Sequence, residues 1–215
     1  MADFDNGAAG KEAASGSASA QKKEMGWKLK EIILIAMICV VFGVVYLAAV
    51  YLSAFINAAG TPVGLGFLGN ELVFGVWFMA ATLAAYILQK PGVALVAEIL
   101  AALIEVLLGN MYGPMVIVTG FVQGIGAELA FAAGRYRKFN WATMLLAAFL
   151  SCVISFVWSF VRSGYGELDI ALLVLFFIIR LVSSVVFSAV ICKVLGDKLA
   201  RTGLLKSYAL GRAHE

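Results

Sequence analysis

The chain has 215 residues, 63% hydrophobic and 13% charged, with a mean hydropathy of +0.98 and a formal net charge of +3. Soluble domains average ~45–50% apolar and about a quarter charged residues, so a core of this length cannot bury the surplus and lipid must be the solvent. No basic stripe with interleaved aromatics supports nucleic-acid binding, and a single histidine, His214, excludes His-based triads, zincins and haem ligation.

Residues 1–26 are rich in Ala, Gly, Ser and charge. They cannot bury enough apolar surface to fold and are expected to form a disordered cytoplasmic tail. They do not read as a cleavable signal, because a long polar stretch precedes the first apolar run.

Six apolar segments follow, at 32–56, 72–88, 93–108, 112–134, 141–161 and 170–192. A helix rises ~1.5 Å per residue, so ~20 residues cross a ~30 Å hydrocarbon layer. The third segment is the shortest. Pro91, Gly92, Gly109–Asn110 and Gly113–Pro114 punctuate the runs where turns are needed. The fold class expected is an all-α integral membrane protein with six transmembrane helices. Residues 27–195 would form the six-helix transmembrane domain, and 196–215 a cytoplasmic C-terminal tail.

Lys and Arg placement sets the orientation. Thirteen basic residues flank one side: Lys22, Lys23, Lys28 and Lys30 at the start, Lys90, the 135–138 cluster, and five from Lys193 onward. The other side holds Arg162 alone. Both termini are therefore expected inside. Cys39, Cys152 and Cys192 each sit alone in an apolar run, which indicates packing residues rather than a disulfide or a metal site. No metal and no cofactor is expected.

Five ionisable residues fall within or at the edge of the spans: Glu71, Glu98, Glu105, Glu128 and Arg180. Each costs ~2.5–3.5 kcal/mol at the bilayer centre, so such residues mark function or pairing. Depth counted along ideal helices brings Arg180 to Glu98 or Glu128 and leaves the outer acids Glu71 and Glu105 to meet something from outside. Glu98 lies seven residues before Glu105, ~10 Å deeper and on nearly the same face. Structural readings stand beside these: Glu71 and Glu31 as acids at helix N-termini, and Trp27, Trp141 and Tyr46 as interface or lipid-facing aromatics.

Glu71, Phe74, Gly75, Phe78 and Thr82 share one helical face, as do Ser151, Ser155, Trp158 and Arg162. Gly120, Gln123, Gly124 and Ala127 form a small-residue stripe that carries Gln123 inward. Carboxylates beside aromatic faces suit an organic cation. Gly64-Leu-Gly66-Phe-Leu-Gly69 spells G-x-G-x-x-G, but without a preceding strand it is no dinucleotide site.

Several motifs together carry a family resemblance. They are Trp27-Lys-Leu-Lys-Glu31, Asn70-Glu71 with Phe74-Gly75-x-Trp77-Phe78, and Lys90-Pro91-Gly92 leading to Glu98. Glu105 with Gly109-Asn110-x-x-Gly113 and Gly120-x-x-Gln123-Gly124-x-Gly126-Ala127-Glu128 complete the set. Over about residues 27–195 the chain resembles the YkoE family, substrate-binding (S) components of energy-coupling factor (ECF) transporters for thiamine or its hydroxymethylpyrimidine moiety. The resemblance implies a non-enzymatic membrane subunit with an outward-facing pocket. It also implies a membrane coupling subunit (EcfT-type) and two ATP-binding-cassette ATPases on other chains, in the plasma membrane of a prokaryote. Glu71, Trp77, Glu98, Glu105, Asn110, Gln123 and Glu128 match the family's polar positions, and Phe78, Tyr112 and Trp158 complete the candidate binding set. The residues themselves leave open an ion- or proton-coupled carrier for an organic cation.

Overall fold

A computed structural model describes residues 26–213. The expected tail at 1–26, apart from Gly26, and His214 lie outside the described residues. Every regular element among the described residues is helical.

Helix α1 (Leu29–Gly60) opens where the Lys28 amide donates to Glu31 Oε2 at 2.7 Å, an acid satisfying a free N-terminal donor. A 3-10 turn (Thr61–Val63) leads into α2 (Leu68–Val73), a 3-10 segment (Phe74–Phe78) and α3 (Met79–Leu88). The sequence predicts one uniform helix over 72–88. The observed stave starts earlier and is rewound in its middle, and side chains collect the backbone N–H groups along it. Gly75 N donates to Ser183 Oγ, Ala80 N to Tyr46 Oη and Ala81 N to Glu98 Oε2, all at 3.0 Å. A buried N–H without a partner is costly, so these three acceptors sustain the irregular geometry. A Cβ on Gly75 would overlap the Ser183 carbonyl, so glycine permits this crossing.

Next come α4 (Val93–Leu107), α5 (Met115–Ala133) and α6 (Trp141–Arg162). The Asn140 side chain caps α6 by accepting from Thr143 N at 3.1 Å. A Cβ on Gly120 would lie 2.7 Å from Ala102 Cβ, and one on Gly126 2.5 Å from Ser151 Cα. The small-residue stripe therefore packs α5 between α4 and α6 at close range. The last stave is α7 (Ile170–Ser184), a π-helical segment (Val185–Ile191) and α8 (Cys192–Arg201), with a short α9 (Ala209–Arg212) after it. It runs nine residues past the expected end at 192, and Ala200, Leu205 and Leu210 are buried.

Five stretches are long and apolar enough to cross a bilayer: Leu29–Val63, Leu68–Leu88, Met115–Ala133, Trp141–Arg162 and Ile170–Arg201. The most apolar window of Leu68–Leu88 is 89% buried, against 22–39% for the other four. That stave is therefore enclosed by protein, while the others present Leu, Val, Ile and Phe outward, as lipid contact demands. The chain is a multi-pass membrane protein.

Candidate functional site

The rewound stave positions the site. Its 3-10 segment turns Phe74 and Trp77 toward a cavity of about 350 Å³, bounded also by α1, α4, α5 and α6. Small-molecule sites span ~300–1,000 Å³. Phe74 and Trp77 meet edge to face at 5.4 Å, and Trp158 of α6 faces the same space. Gln123 and Thr119 of α5 supply neutral polar groups. Asn70, Tyr112 and Arg162 stand at one end, where the chain segments around 57–70, 108–114 and 163–169 connect the helices.

Two carboxylates line this cavity. Glu98 is 1% exposed. Its Oε2 accepts from Tyr46 Oη and Ala81 N, both at 3.0 Å, while Oε1 has no hydrogen-bond partner among the described residues. Because Tyr46 Oη in turn accepts from Ala80 N, the Glu98 carboxyl is tied to the irregular part of the enclosed stave. Glu105, two turns nearer the loop end, accepts from Asn110 Nδ2. Asn110 is fixed because its Oδ1 accepts from Tyr112 N at 2.5 Å. A cation is attracted both by an acid and by the negative face of an aromatic ring, and this cavity offers both.

At the loop end, Arg162 Nη1 and Trp158 Nε1 donate to Thr119 Oγ1 at 2.8 and 3.2 Å. Tyr112 Oη donates to Asn70 Oδ1 at 3.4 Å. The Asn57 Nδ2 donates to that same Asn70 oxygen at 3.1 Å, and Asn57 Oδ1 accepts from Gly69 N at 2.8 Å. The loop before α2 is thereby held at the cavity edge.

Of the candidate set, Trp77, Glu98, Glu105, Tyr112, Gln123 and Trp158 line the cavity. Asn110 stands behind Glu105. Phe78 is buried beside Phe74, with ring centroids 5.5 Å apart. Glu128 and Glu71 lie elsewhere. Glu128 accepts from Gly92 N at 2.6 Å, Ala94 N at 3.1 Å and Tyr136 Oη at 2.6 Å, which caps the start of α4 from α5. Burial and the neighbouring Glu128 carboxylate push the Tyr136 hydroxyl pKa above its ordinary value.

The expected pairing of Arg180 with Glu98 or Glu128 is corrected by the structure. Arg180, wholly buried, instead grips Glu71 through Nε at 2.6 Å and Nη2 at 2.5 Å. Tyr165 Oη also donates to Glu71, Ser159 Oγ accepts from Arg180 Nη2 at 3.0 Å, and the guanidinium lies 3.6 Å over the Phe74 ring. Depth counted along ideal helices places Glu71 at the surface. The loop residue Tyr165, 1% exposed, carries the core outward past it.

Tyr46 requires a second correction. Expected as an interface or lipid-facing aromatic, it is 1% exposed and holds Glu98. Phe67, Thr119 and Ser159, which also line the cavity, are not singled out by the sequence, since single Phe, Thr or Ser residues in or beside apolar runs carry no distinguishing pattern. Tyr46 had one usable signal: it sits four residues after Phe42 on the face that also carries Cys39 and Val50.

Residues 30–154 match a family model described as the permease component of an ABC-type cobalt transport system. A Bacillus subtilis (strain 168) protein named as an HMP/thiamine permease protein, YkoE, is 41% identical over 186 residues, covering 86% of this chain and 91% of that protein. The crystal structure of an S component of an ECF transporter superposes with a TM-score of 0.81 at 40% identity, over 87% of this chain and 93% of that one.

Proposed function

The chain belongs to the YkoE family of ECF-transporter S components, and on that premise we propose that it captures thiamine or its hydroxymethylpyrimidine moiety. It then delivers the vitamin to an ATP-driven coupling module. The observation that carries this reading is the cavity itself. Two buried carboxylates that make no ion pair among the described residues, Glu98 and Glu105, share it with Phe74, Trp77 and Trp158, while the buried base Arg180 is engaged by Glu71. Thiamine offers a permanent cation and a flat ring with directional hydrogen-bonding atoms, and both complement this lining.

The donor set supports an organic cargo over the cobalt in the family model's description. No group of three or more His, Cys, Asp or Glu side chains able to hold an ion occurs among the described residues, and transition metals need such a set.

In this reading α4 is a sixth, short span. Its 15 residues rise about 22 Å, and the Asn110–Tyr112 turn and Glu128 cap extend its two ends. Six spans with thirteen basic residues on one side support both termini inside and the Arg162 end of the cavity outside. The membrane is the plasma membrane of a prokaryote. A membrane coupling subunit (EcfT-type) and two ATP-binding-cassette ATPases on other chains supply the energy, and this chain catalyses no reaction.

Liposomes containing the purified chain alone test the assignment. Labelled thiamine should bind at the outer face and stay there, with no accumulation in the lumen under a proton or sodium gradient. Gradient-driven accumulation would overturn the S-component role in favour of an ion-coupled carrier in which the buried acids relay protons.

A further inference from the structure

At the end of α6 opposite Arg162, the chain passes from α5 to α6 through residues 134–140. Arg135 and Tyr136 are consecutive non-glycine residues with φ of 52° and 53°. The left-handed region is disfavoured for residues with a Cβ, and two in a row persist only where their surroundings over-determine them. Here they do. The backbone N–H groups of Arg135, Tyr136 and Arg137 donate to the carbonyls of Ala132, Phe131 and Gly134 at 2.8, 3.0 and 3.1 Å. Tyr136 Oη donates to Glu128, the Phe139 ring stacks on Phe131 at 5.4 Å, and Thr143 Oγ1 donates to the Lys138 carbonyl at 2.7 Å. The turn is a fixed platform rather than a slack connection.

What the platform displays is charge. Arg135, Arg137 and Lys138 are exposed, and their side chains make no ion pair among the described residues. Glu128, the acid that the turn touches, is already engaged by Tyr136 and by the amides at the start of α4. A helix C-terminus favours a cation, and inner loops collect Lys and Arg. Neither effect requires a strained backbone tied down at so many points.

Depth indicates the partner. Trp141 opens α6 directly after the turn, is 47% exposed, and has Lys193 Nζ 5.0 Å from its ring centroid. A half-exposed indole with an ammonium beside it belongs at the membrane–water boundary. The three cations precede Trp141 by three to six residues and so stand at the level of the lipid headgroups. Two guanidinium forks and an ammonium at that depth match a phosphodiester with net negative charge. We propose that the 134–140 turn binds the headgroup of an anionic phospholipid, in the inner leaflet for the orientation given above. A zwitterionic headgroup brings its own cation and fits this surface less well.

Titrating phosphatidylglycerol or phosphatidylcholine into the purified chain in neutral detergent, read by native mass spectrometry, tests the site. Arg135→Gln/Arg137→Gln/Lys138→Gln removes the charges of the turn. Lys198→Gln/Arg201→Gln/Lys206→Gln removes as many exposed cations from the C-terminal end of the chain. Thermal melts matching wild type establish that both variants are folded. Each Lys or Arg at an anionic surface is worth about fivefold in affinity. The turn variant should therefore bind phosphatidylglycerol on the order of 100-fold more weakly, and the C-terminal variant within about threefold of wild type. Equal affinity of wild type for the two lipids would overturn the proposal, and so would equal loss in the two variants, which would reveal a diffuse field. Displacement of the lipid by inorganic phosphate would make the turn a free-anion site instead. A turn variant that keeps its lipid affinity but no longer assembles with the coupling subunits would assign the turn to a protein partner and overturn the lipid reading.

Discussion

Arg180→Met replaces a wholly buried guanidinium side chain with a shorter, uncharged and unbranched one. Glu71 would lose the bonds to Nε and Nη2 at 2.6 and 2.5 Å and keep only Tyr165. Ser159 would lose its donor as well. Breaking a buried pair by removing one partner costs about 3–5 kcal/mol, because the remaining charge stays out of water without compensation. The π-contact with Phe74 at 3.6 Å adds about 1–2 kcal/mol where it is desolvated. The double variant Glu71→Gln/Arg180→Met removes both charges and keeps an acceptor for Tyr165, so it should recover more than half of the loss. Equilibrium unfolding in detergent, followed by tryptophan fluorescence and analysed as a double-mutant cycle, measures the coupling. Arg180→Met with stability within ~1 kcal/mol of wild type, or a double variant no better than the single, would refute the pairing as the clamp on the Tyr165 loop.

Other expectations follow from the same geometry. Glu128→Gln should lower stability by about 1–2 kcal/mol through the weakened cap on α4 and leave thiamine affinity unchanged by calorimetry. The Tyr136 hydroxyl is raised in the folded state, so its contribution is full below about pH 10, the unfolded value, and falls as pH rises toward the folded value. Tyr136→Phe should reduce the alkaline slope of stability measured by thermal melts above about pH 10. Gly75→Ala should cost about 2 kcal/mol or more, or prevent folding, since the new methyl meets backbone at Ser183 rather than a movable side chain. Size-exclusion profiles and melts report it. Trp158→Phe should lower the ligand-induced fluorescence change, because Trp77 and Trp158 are the cavity's two indoles.

The segment map was legible because hydropathy and length report the solvent directly. Each expected segment contains a helix, and the close packing of α5 follows from Gly120 and Gly126. The breaks in the stave over 68–88 and the π-helical segment were not legible. Val, Trp and Phe at 76–78 obey the same periodicity whether the turn is α or 3-10, and the acceptors that sustain the irregular turn, Tyr46, Glu98 and Ser183, come from distant positions. For the same reason depth along an ideal helix misassigned the partner of Arg180. The acids at 98 and 105 were legible as candidates because a carboxylate in an apolar run is expensive wherever it points. Which acid pairs and which lines a cavity depended on tertiary contacts that no local pattern encodes.

The most direct test of the central claim is calorimetric titration of thiamine into the purified, detergent-solubilised chain, without ATP and without partner subunits. The account predicts saturable one-to-one binding together with a change in Trp77 and Trp158 fluorescence. Absence of binding by both thiamine and hydroxymethylpyrimidine to a monodisperse, folded preparation would contradict it.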